Sequence, residues 1–379
     1  MKFLKASSEI IPIPAPTDAM AVYKHLERIG RVCYKSEDKI NDESCLKFLA
    51  NIYKRKHWAM LEHYPFVIYD RDRILLDALT AFYSINDAMV QSKLSFVKSN
   101  MLWFDDMNHA FISGSATAFN YLYDALMASP DGVSEEDLNV YVKFMRRMYL
   151  QFPKIFTNPE NVADVSEFHD AVDHERWELW SQDDLMKIDD PNVAMHLYMT
   201  AKFICDRGVT HEIVRHRPCS YAQESTRYCN YGKLGCQFII PDWFQDFTKE
   251  RLLDQSFVDQ VSDSIMAGEM TISKLANLCG ISEGESLWVY TMFTISIEYE
   301  QLVGTDMAWT PQQARSILPN SVKTEIVMTA NIPEYGHFFE MRVPKTAHPQ
   351  MREVAIPLYH TAKLTYGDKI PNLDAAAAE

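Results

Sequence analysis

Thr210-His211-Glu212-Ile213-Val214-Arg215-His216-Arg217-Pro218-Cys219-Ser220-Tyr221-Ala222-Gln223-Glu224-Ser225-Thr226-Arg227-Tyr228 brings three arginines, a histidine and the Ser225 hydroxyl together between positions 215 and 227. The rest of the chain is acidic: 37 Lys and Arg against 52 Asp and Glu leave a net charge of −15. A guanidinium stays charged at any cellular pH, and its planar fork matches a phosphate in a way that an ammonium does not. The stretch therefore reads as a binding place for a phosphorylated ligand. For Arg-His-Arg alone a solvated basic run at a helix end, offsetting the macrodipole, is the plainer reading. Glu212, Ser225, Arg227 and Tyr228 around it favour the ligand.

The flanking pattern places this stretch. From His196 to Cys205, Leu197, Met199, Ala201, Phe203 and Cys205 alternate with polar neighbours, which predicts a half-buried strand. Gly208 ends it, Thr210 caps the next helix, and Pro218 forbids regular continuation, so the basic triplet straddles a helix end and a loop. Upstream, residues 16–30 predict a helix capped by Thr17 or Asp18, and Phe66-Val67-Ile68-Tyr69 a strand. Between 70 and 195 a strand is expected around Met101–Ser113, helices at Ala116–Met127 and Ser134–Phe152, and a linker-like acidic stretch from Pro153 to Pro191. Downstream, a long helix closes at Gly304, Thr310-Pro311-Gln312-Gln313 is a capping box, and Thr324–Ala330 suits a strand. Asn331 with Glu334 caps a helix through Arg342, and a last helix from about Met351 is kinked at Pro357. No internal repeat is evident.

A chain of 379 residues with 47% hydrophobic composition can bury a large core. Its negative field disfavours nucleic acid and acidic membranes, so an anionic ligand must use a local pocket. Seven scattered cysteines without a C-x-x-C pair suggest neither a disulfide framework nor a metal site, and fit a reducing cytoplasm. Neither a signal peptide nor a run of ~20 apolar residues is seen, and Asp374–Glu379 reads as a frayed tail.

The run 210–228 resembles the signature of the flavin-dependent thymidylate synthases, in which Arg-His-Arg is followed after seven residues by Ser. Four separated segments resemble the same family in the same order: Arg31-Val32-Cys33-Tyr34 with Glu62-His63 and Phe66; Gln313-Ala314-Arg315 with Leu318-Pro319; Asn331, His337 and Arg342; and Ala347-His348-Pro349-Gln350. The resemblance implies an α/β (α+β) fold, a mixed sheet flanked by helices, with residues 1–69 and 196–379 as the core and 70–195, about 125 residues, as a largely helical insertion. Strands flanking the insertion are expected to pair.

The resemblance further implies FAD as cofactor, NADPH and methylenetetrahydrofolate as co-substrates, dUMP as substrate and a homotetramer with sites between subunits. Carried over by position, His63, Arg215, His216, Arg217, Gln223, Asn331 and His337 would contact the flavin. Glu212, Arg215, Gln223, Glu224, Ser225, Arg227, Arg315 and Arg342 would contact the nucleotide, with Arg342 stabilising negative charge on the uracil ring. Ala222-Gln223 replaces the family's usual Asn-Glu, which leaves open whether Gln223 or Glu224 faces the ligand, and Pro333 stands where some relatives have arginine. His348 is open between a capping and a supporting role. Ser225 reads as a ligand contact rather than a nucleophile, and Cys219 as a small buried residue rather than a catalytic thiol. A flavin-dependent hydroxymethylase and a non-catalytic nucleotide-binding homologue are the rival readings.

Overall fold

The computed structural model describes residues 1–82, 101–105, 110–128, 132–159 and 177–373. Strands and helices in chain order are β1 (Lys2–Leu4), β2 (Ser7–Ile11), α1 (Ala19–Val32), α2 (Asp42–Lys54), β3 (Pro65–Asp70), α3 (Ile74–Phe82), β4 (Met101–Asp105), β5 (Ala110–Ser115), α4 (Ala116–Ala128), α5 (Glu135–Gln151), β6 (Trp177–Trp180) and α6 (Gln182–Met186). There follow β7 (Tyr198–Asp206), α7 (Arg207–Ile213), β8 (Ser220–Gln223), α8 (Tyr231–Leu234), β9 (Gln237–Ile239), α9 (Asp246–Leu253), α10 (Gln255–Met266), α11 (Ile272–Cys279), α12 (Glu283–Val303), α13 (Pro311–Ala314), β10 (Lys323–Asn331), α14 (Ile332–Arg342) and α15 (Pro349–Tyr366).

The expected combination of helix and sheet forms, with the strands divided among three small sheets. Strands β2-β7-β10-β8 make one antiparallel sheet, β4-β5-β3-β6 a second, and β1 with β9 a parallel pair. Strands β3 and β7, which flank residues 70–195, do not pair with each other, contrary to expectation: β3 lies between β5 and β6, and β7 between β2 and β10. The reason is that residues 110–115 and 177–180 supply β3 with neighbours of its own. The acidic stretch after Pro153 is therefore not all linker, since Trp177–Trp180 is a strand in the sheet; its part at 160–176 lies outside the described residues, as does the tail at 374–379.

Local signals account for most element ends. Asp18 accepts from the Ala21 amide at 3.0 Å and starts α1. Ser282 and Glu285 form a capping box on α12, which Gly304 closes. Asn331 accepts from the Glu334 amide at 3.0 Å, and Pro311 and Pro349 sit in first turns, where a missing N–H costs nothing. One cap differs from expectation: α7 begins at Arg207, with Asp206 accepting from the Val209 amide at 2.7 Å, so Thr210 lies inside the helix. Asp206 ends β7 in extended geometry and caps in the same residue, leaving no room for a linker. At Gly30 a Cβ would run into the Phe48 ring, so the close approach of α1 and α2 requires glycine.

Apolar side chains gather in three main clusters. One joins α1, α2, β3, β5, α4 and α5, from Val22 to Trp177. A second joins Val67 and Phe111 to residues Leu185–Ile370 of β7, β10, α14 and α15. The third holds Phe3 with residues of the long excursion from Cys229 to Val322.

Candidate active site

The loop between α7 and β8 carries the basic triplet, and α14 presents its last turn to it. Arg342 donates from Nη1 to Glu212 Oε2 at 2.6 Å and from Nε to His216 Nε2 at 3.0 Å. Arginine has no acceptor, so His216 must accept at Nε2 and carry its proton on Nδ1. Burial, then Arg342 and His337, push the His216 pKa down to about 4, so the ring is neutral at pH 7. His337, one α14 turn before Arg342, is exposed and meets the His216 ring edge-on at 5.8 Å. Glu212, His216, His337 and Arg342 thus form one group.

Arg215 is exposed, with no side-chain partner among the described residues, and is available to an anion. Arg217 folds back on the helix end instead: its Nη1 donates to the carbonyls of Val214 and His216, and its guanidinium lies 5.7 Å from the Tyr221 ring centre. Tyr221 Oη in turn donates to the Ile213 and His216 carbonyls at 2.8 and 3.0 Å.

Past β8 the signature turns inward. Gln223 donates to Thr210 at 2.9 Å, while Glu224, 3% exposed, accepts from Tyr231 at 2.8 Å and from Lys323 at 3.0 Å. Lys323 also bonds Glu325 at 2.6 Å, and Lys35 reaches the same carboxylate at 2.7 Å. Burial alone would raise the Glu325 pKa, but these two ammonium groups outweigh it and hold it at about 2. Both Gln223 and Glu224 are thus engaged within the chain.

The Ser225 amide donates to the Cys33 carbonyl at 3.1 Å, which brings Arg31–Tyr34 to the signature; Tyr34 and Tyr228 stack 5.3 Å apart. Arg227 is exposed and donates to Gln312 at 3.3 Å, one turn from the exposed Arg315. Arg31 itself pairs with Glu27 at 2.6 Å.

His63 is fully buried. Its Nδ1 bonds Thr329 Oγ1 at 2.8 Å, Nε2 has no partner, and burial, then the neighbouring His25, lowers its pKa to about 3. Asn331 caps α14 and lines a cavity of about 270 Å3 with Glu62, Pro65, Ser115, Cys219 and Ser220. A larger cavity, about 670 Å3, opens on the other side of Glu62 between Tyr34, Phe48, His57, Trp58 and Tyr121. Glu62 accepts from Ser220 at 3.2 Å, yet burial wins and raises its pKa to about 7. Burial likewise raises Cys219 to about 12, so it is a thiol at neutral pH. His348 makes no capping bond and instead meets Trp243 edge-on at 5.9 Å.

His57 and the Lys323–Glu325 pair are groups that sequence reasoning passed over, and Glu62, quoted there beside His63, was given no role of its own. Period two along Lys323-Thr324-Glu325 does put both charges on one face of β10, but their partners Glu224 and Lys35 are remote in sequence. No helix among the described residues is long and apolar enough to cross a membrane.

These features define an α/β protein with exposed arginines on its signature loop and two cavities meeting at Glu62. Residues 136–365 match the family described as thymidylate synthase complementing protein, Thy1. That is more than half of the chain, and the chain belongs to this family. The flavin-dependent thymidylate synthase of Pyrococcus abyssi is 27% identical over 197 residues, covering 47% of this chain and 66% of that relative. Its counterpart in Pyrococcus horikoshii is 29% identical with the same coverage. The matched part thus spans just under two thirds of these relatives. Among solved structures, a UMP/dUMP methylase PolB from Streptomyces cacaoi bound with 5-Br UMP is 19% identical, with 48% of this chain and 80% of that chain covered, at a TM-score of 0.31. So loose an overlap carries no argument here.

Proposed function

We propose that the chain is a flavin-dependent thymidylate synthase that converts dUMP to dTMP, with methylenetetrahydrofolate as carbon donor and NADPH as reductant. The observation that carries this reading is Arg342, fixed by Glu212 and by His216, the chain neighbour of the exposed Arg215. Two anchors hold the guanidinium plane and leave Nη2 with only a long contact, 3.4 Å, to the Glu212 carbonyl. A donor fixed in advance stabilises charge that develops on a bound ring without reorganising. Arg342 is therefore assigned to the uracil edge, where it favours negative charge at the carbon to be alkylated. Arg215, Ser225, Arg227 and Arg315 hold phosphate and sugar. Neutral His216 cannot compete with Arg342 for that charge.

The residues present suit FAD. His63 Nε2 is a buried nitrogen without a partner, and the cleft beside Glu62 offers aromatic walls with Lys56 at its rim. His63, Arg217, Asn331 and His337 are assigned to the flavin, as are Arg215 and His216 where the two ligands meet. When bound, reduced flavin supplies the hydride that turns the transferred one-carbon unit into a methyl group. Protonated Cys219 takes no part in bond making. The assignment extends to a cytoplasmic enzyme assembled with sites between units, the homotetramer of the resemblance.

An anaerobic assay with dUMP, methylenetetrahydrofolate and NADPH, read by product mass spectrometry, tests this. dTMP is expected. 5-Hydroxymethyl-dUMP would favour the hydroxymethylase reading, and failure to take up FAD or turn over would leave a nucleotide-binding protein.

A further inference from the structure

The two four-stranded sheets are built alike. Written from one edge, they run β2-β7-β10-β8 and β6-β3-β5-β4, and every junction is antiparallel. In both, the second strand is entered through a 3-10 turn ending in histidine, Trp58–His63 before β3 and Pro191–His196 before β7. In both, the third strand passes without a linking residue into a helix, β5 into α4 and β10 into α14.

The registers coincide as well. Pro65 faces Ser115 as Tyr198 faces Asn331. On the outer side, Val67, Ile68 and Tyr69 face Trp180, Leu179 and Glu178 as Thr200, Ala201 and Lys202 face Ile11, Ile10 and Glu9. On the far edge, Leu102 faces Ser113 as Ser220 faces Thr329. Register is a free variable in unrelated sheets, because a shift of one residue exchanges buried and exposed faces. At the central junction the two histidines and the two helix starts fix the alignment independently of the pairing, and its agreement there points to a common origin.

Each first strand, moreover, sits in the other sheet. Strand β2 precedes β3 in the chain but pairs with β7, and β6 precedes β7 but pairs with β3. The histidines cross over in the same way: His63 Nδ1 bonds Thr329 on β10 at 2.8 Å, and His196 Nδ1 bonds Ser113 on β5 at 2.9 Å. Both hydroxyls lie three residues before their helix. Both rings are buried, and both leave Nε2 without a partner. The 270 Å3 cavity lies where the halves meet, since the equivalent pairs Glu62 and Met195, Pro65 and Tyr198, and Ser115 and Asn331 all line it.

We propose that residues 7–151 and 177–366 are two copies of one fold unit that exchange their first strands within the chain, and that only the second copy keeps a nucleotide site, the first serving as its built-in partner subunit. Residues 70–195 are then the end of the first copy and the start of the second. The single-site part rests on the function proposed above. At the position of Arg342 the first copy has Leu126, at that of His337 Tyr121 and at that of Ser220 Leu102, and no Arg-His-Arg lies between β3 and β4. The Arg342 counterpart is sealed in the core. What the first copy adds is Glu62, where the second has Met195.

Two measurements on the full chain test this separately. Equilibrium dialysis with labelled dUMP should give one site per 379-residue chain, lost in Arg215→Ala with Arg227→Ala, and two sites per chain would overturn the claim of a single site. The exchange is read without any nucleotide. Glu9→Cys with Lys202→Cys, and Tyr69→Cys with Glu178→Cys, treated with a short bis-maleimide and mapped by mass spectrometry, should each give a link within one chain. Links between chains, or a link in only one of the two variants, would overturn the exchanged pairing. If dUMP does not bind at all, the substrate assignment and the single site fall together, and the cross-links still decide the pairing.

Discussion

Arg342 shows how a single side chain separates a catalytic from a structural role. As a helix-end cation it would be worth at most about 1 kcal/mol, and Lys would replace it. Held between Glu212 and His216, it presents a plane that an ammonium cannot reproduce. Arg342→Ala and Arg342→Lys should both lower dUMP turnover by about a hundredfold to a thousandfold with nucleotide saturating; near-normal kcat in both would remove the assignment. Cys219 lies next to the same arginines, but burial keeps it a thiol. Cys219→Ser should retain most of the activity, and a trapped adduct at Cys219 would bring covalent catalysis back.

At the level of elements, β10 is the strand on which the site is assembled. It pairs with β7 and β8, carries Thr329 against His63 and ends in Asn331, the cap of α14. Its first turn toward the signature is held by charge: Lys323, 4% exposed, lies between Glu224 and Glu325. Removing one partner from such a buried set leaves the other charges uncompensated, which costs about 3–5 kcal/mol. Lys323→Met should therefore lower unfolding free energy in urea by about that amount, whereas a change under about 1 kcal/mol would mean that the carboxylates find water instead. The strand itself was legible as Thr324–Ala330, as were the Asn331 and Thr310 caps, because those signals are local. The cap of α7 was misplaced at Thr210 because both Asp206 and Thr210 are cap formers, and only the length of β7 chose between them.

Across the whole molecule, buried titratable groups set a pH response. His25, His63, His196 and His216 sit at about 4, 3, 4 and 4, chiefly through burial. An unfolded histidine titrates near 6.5, so the unfolded chain takes up protons that the fold refuses, and stability falls as pH drops from about 6.5 toward 4. Glu62 and Glu353, raised to about 7 by burial, act in the opposite sense: their contribution is full below the unfolded value and lost as pH rises through 7. The four histidines lie far from their ordinary value and outweigh Glu62, Glu353 and the lesser rises at Asp70, Asp206 and Glu334, so the melting temperature should fall between pH 6.5 and 4.5, and Glu62→Gln should make the fall steeper. A melting temperature that rises on acidification across that window would contradict the burial of these histidines.

Helices α1 and α12, strands β7 and β10, the arginine-rich signature with its helix-end position, and the caps at Asp18, Thr310 and Asn331 follow from the sequence, because each depends on residues within a few positions of one another. What only the tertiary structure decided is which strands are neighbours. Alternation gives a strand two faces but no partner, so nothing local joins Ser7–Ile11 to β7 or Trp177–Trp180 to β3. The doubled architecture was hidden for the same reason. Between residues 61–70 and 194–203, which occupy matching positions, only His63 and His196 are identical. Hydrogen-bond register preserves a fold without asking for particular side chains, and it is register, not residue identity, that the two halves share.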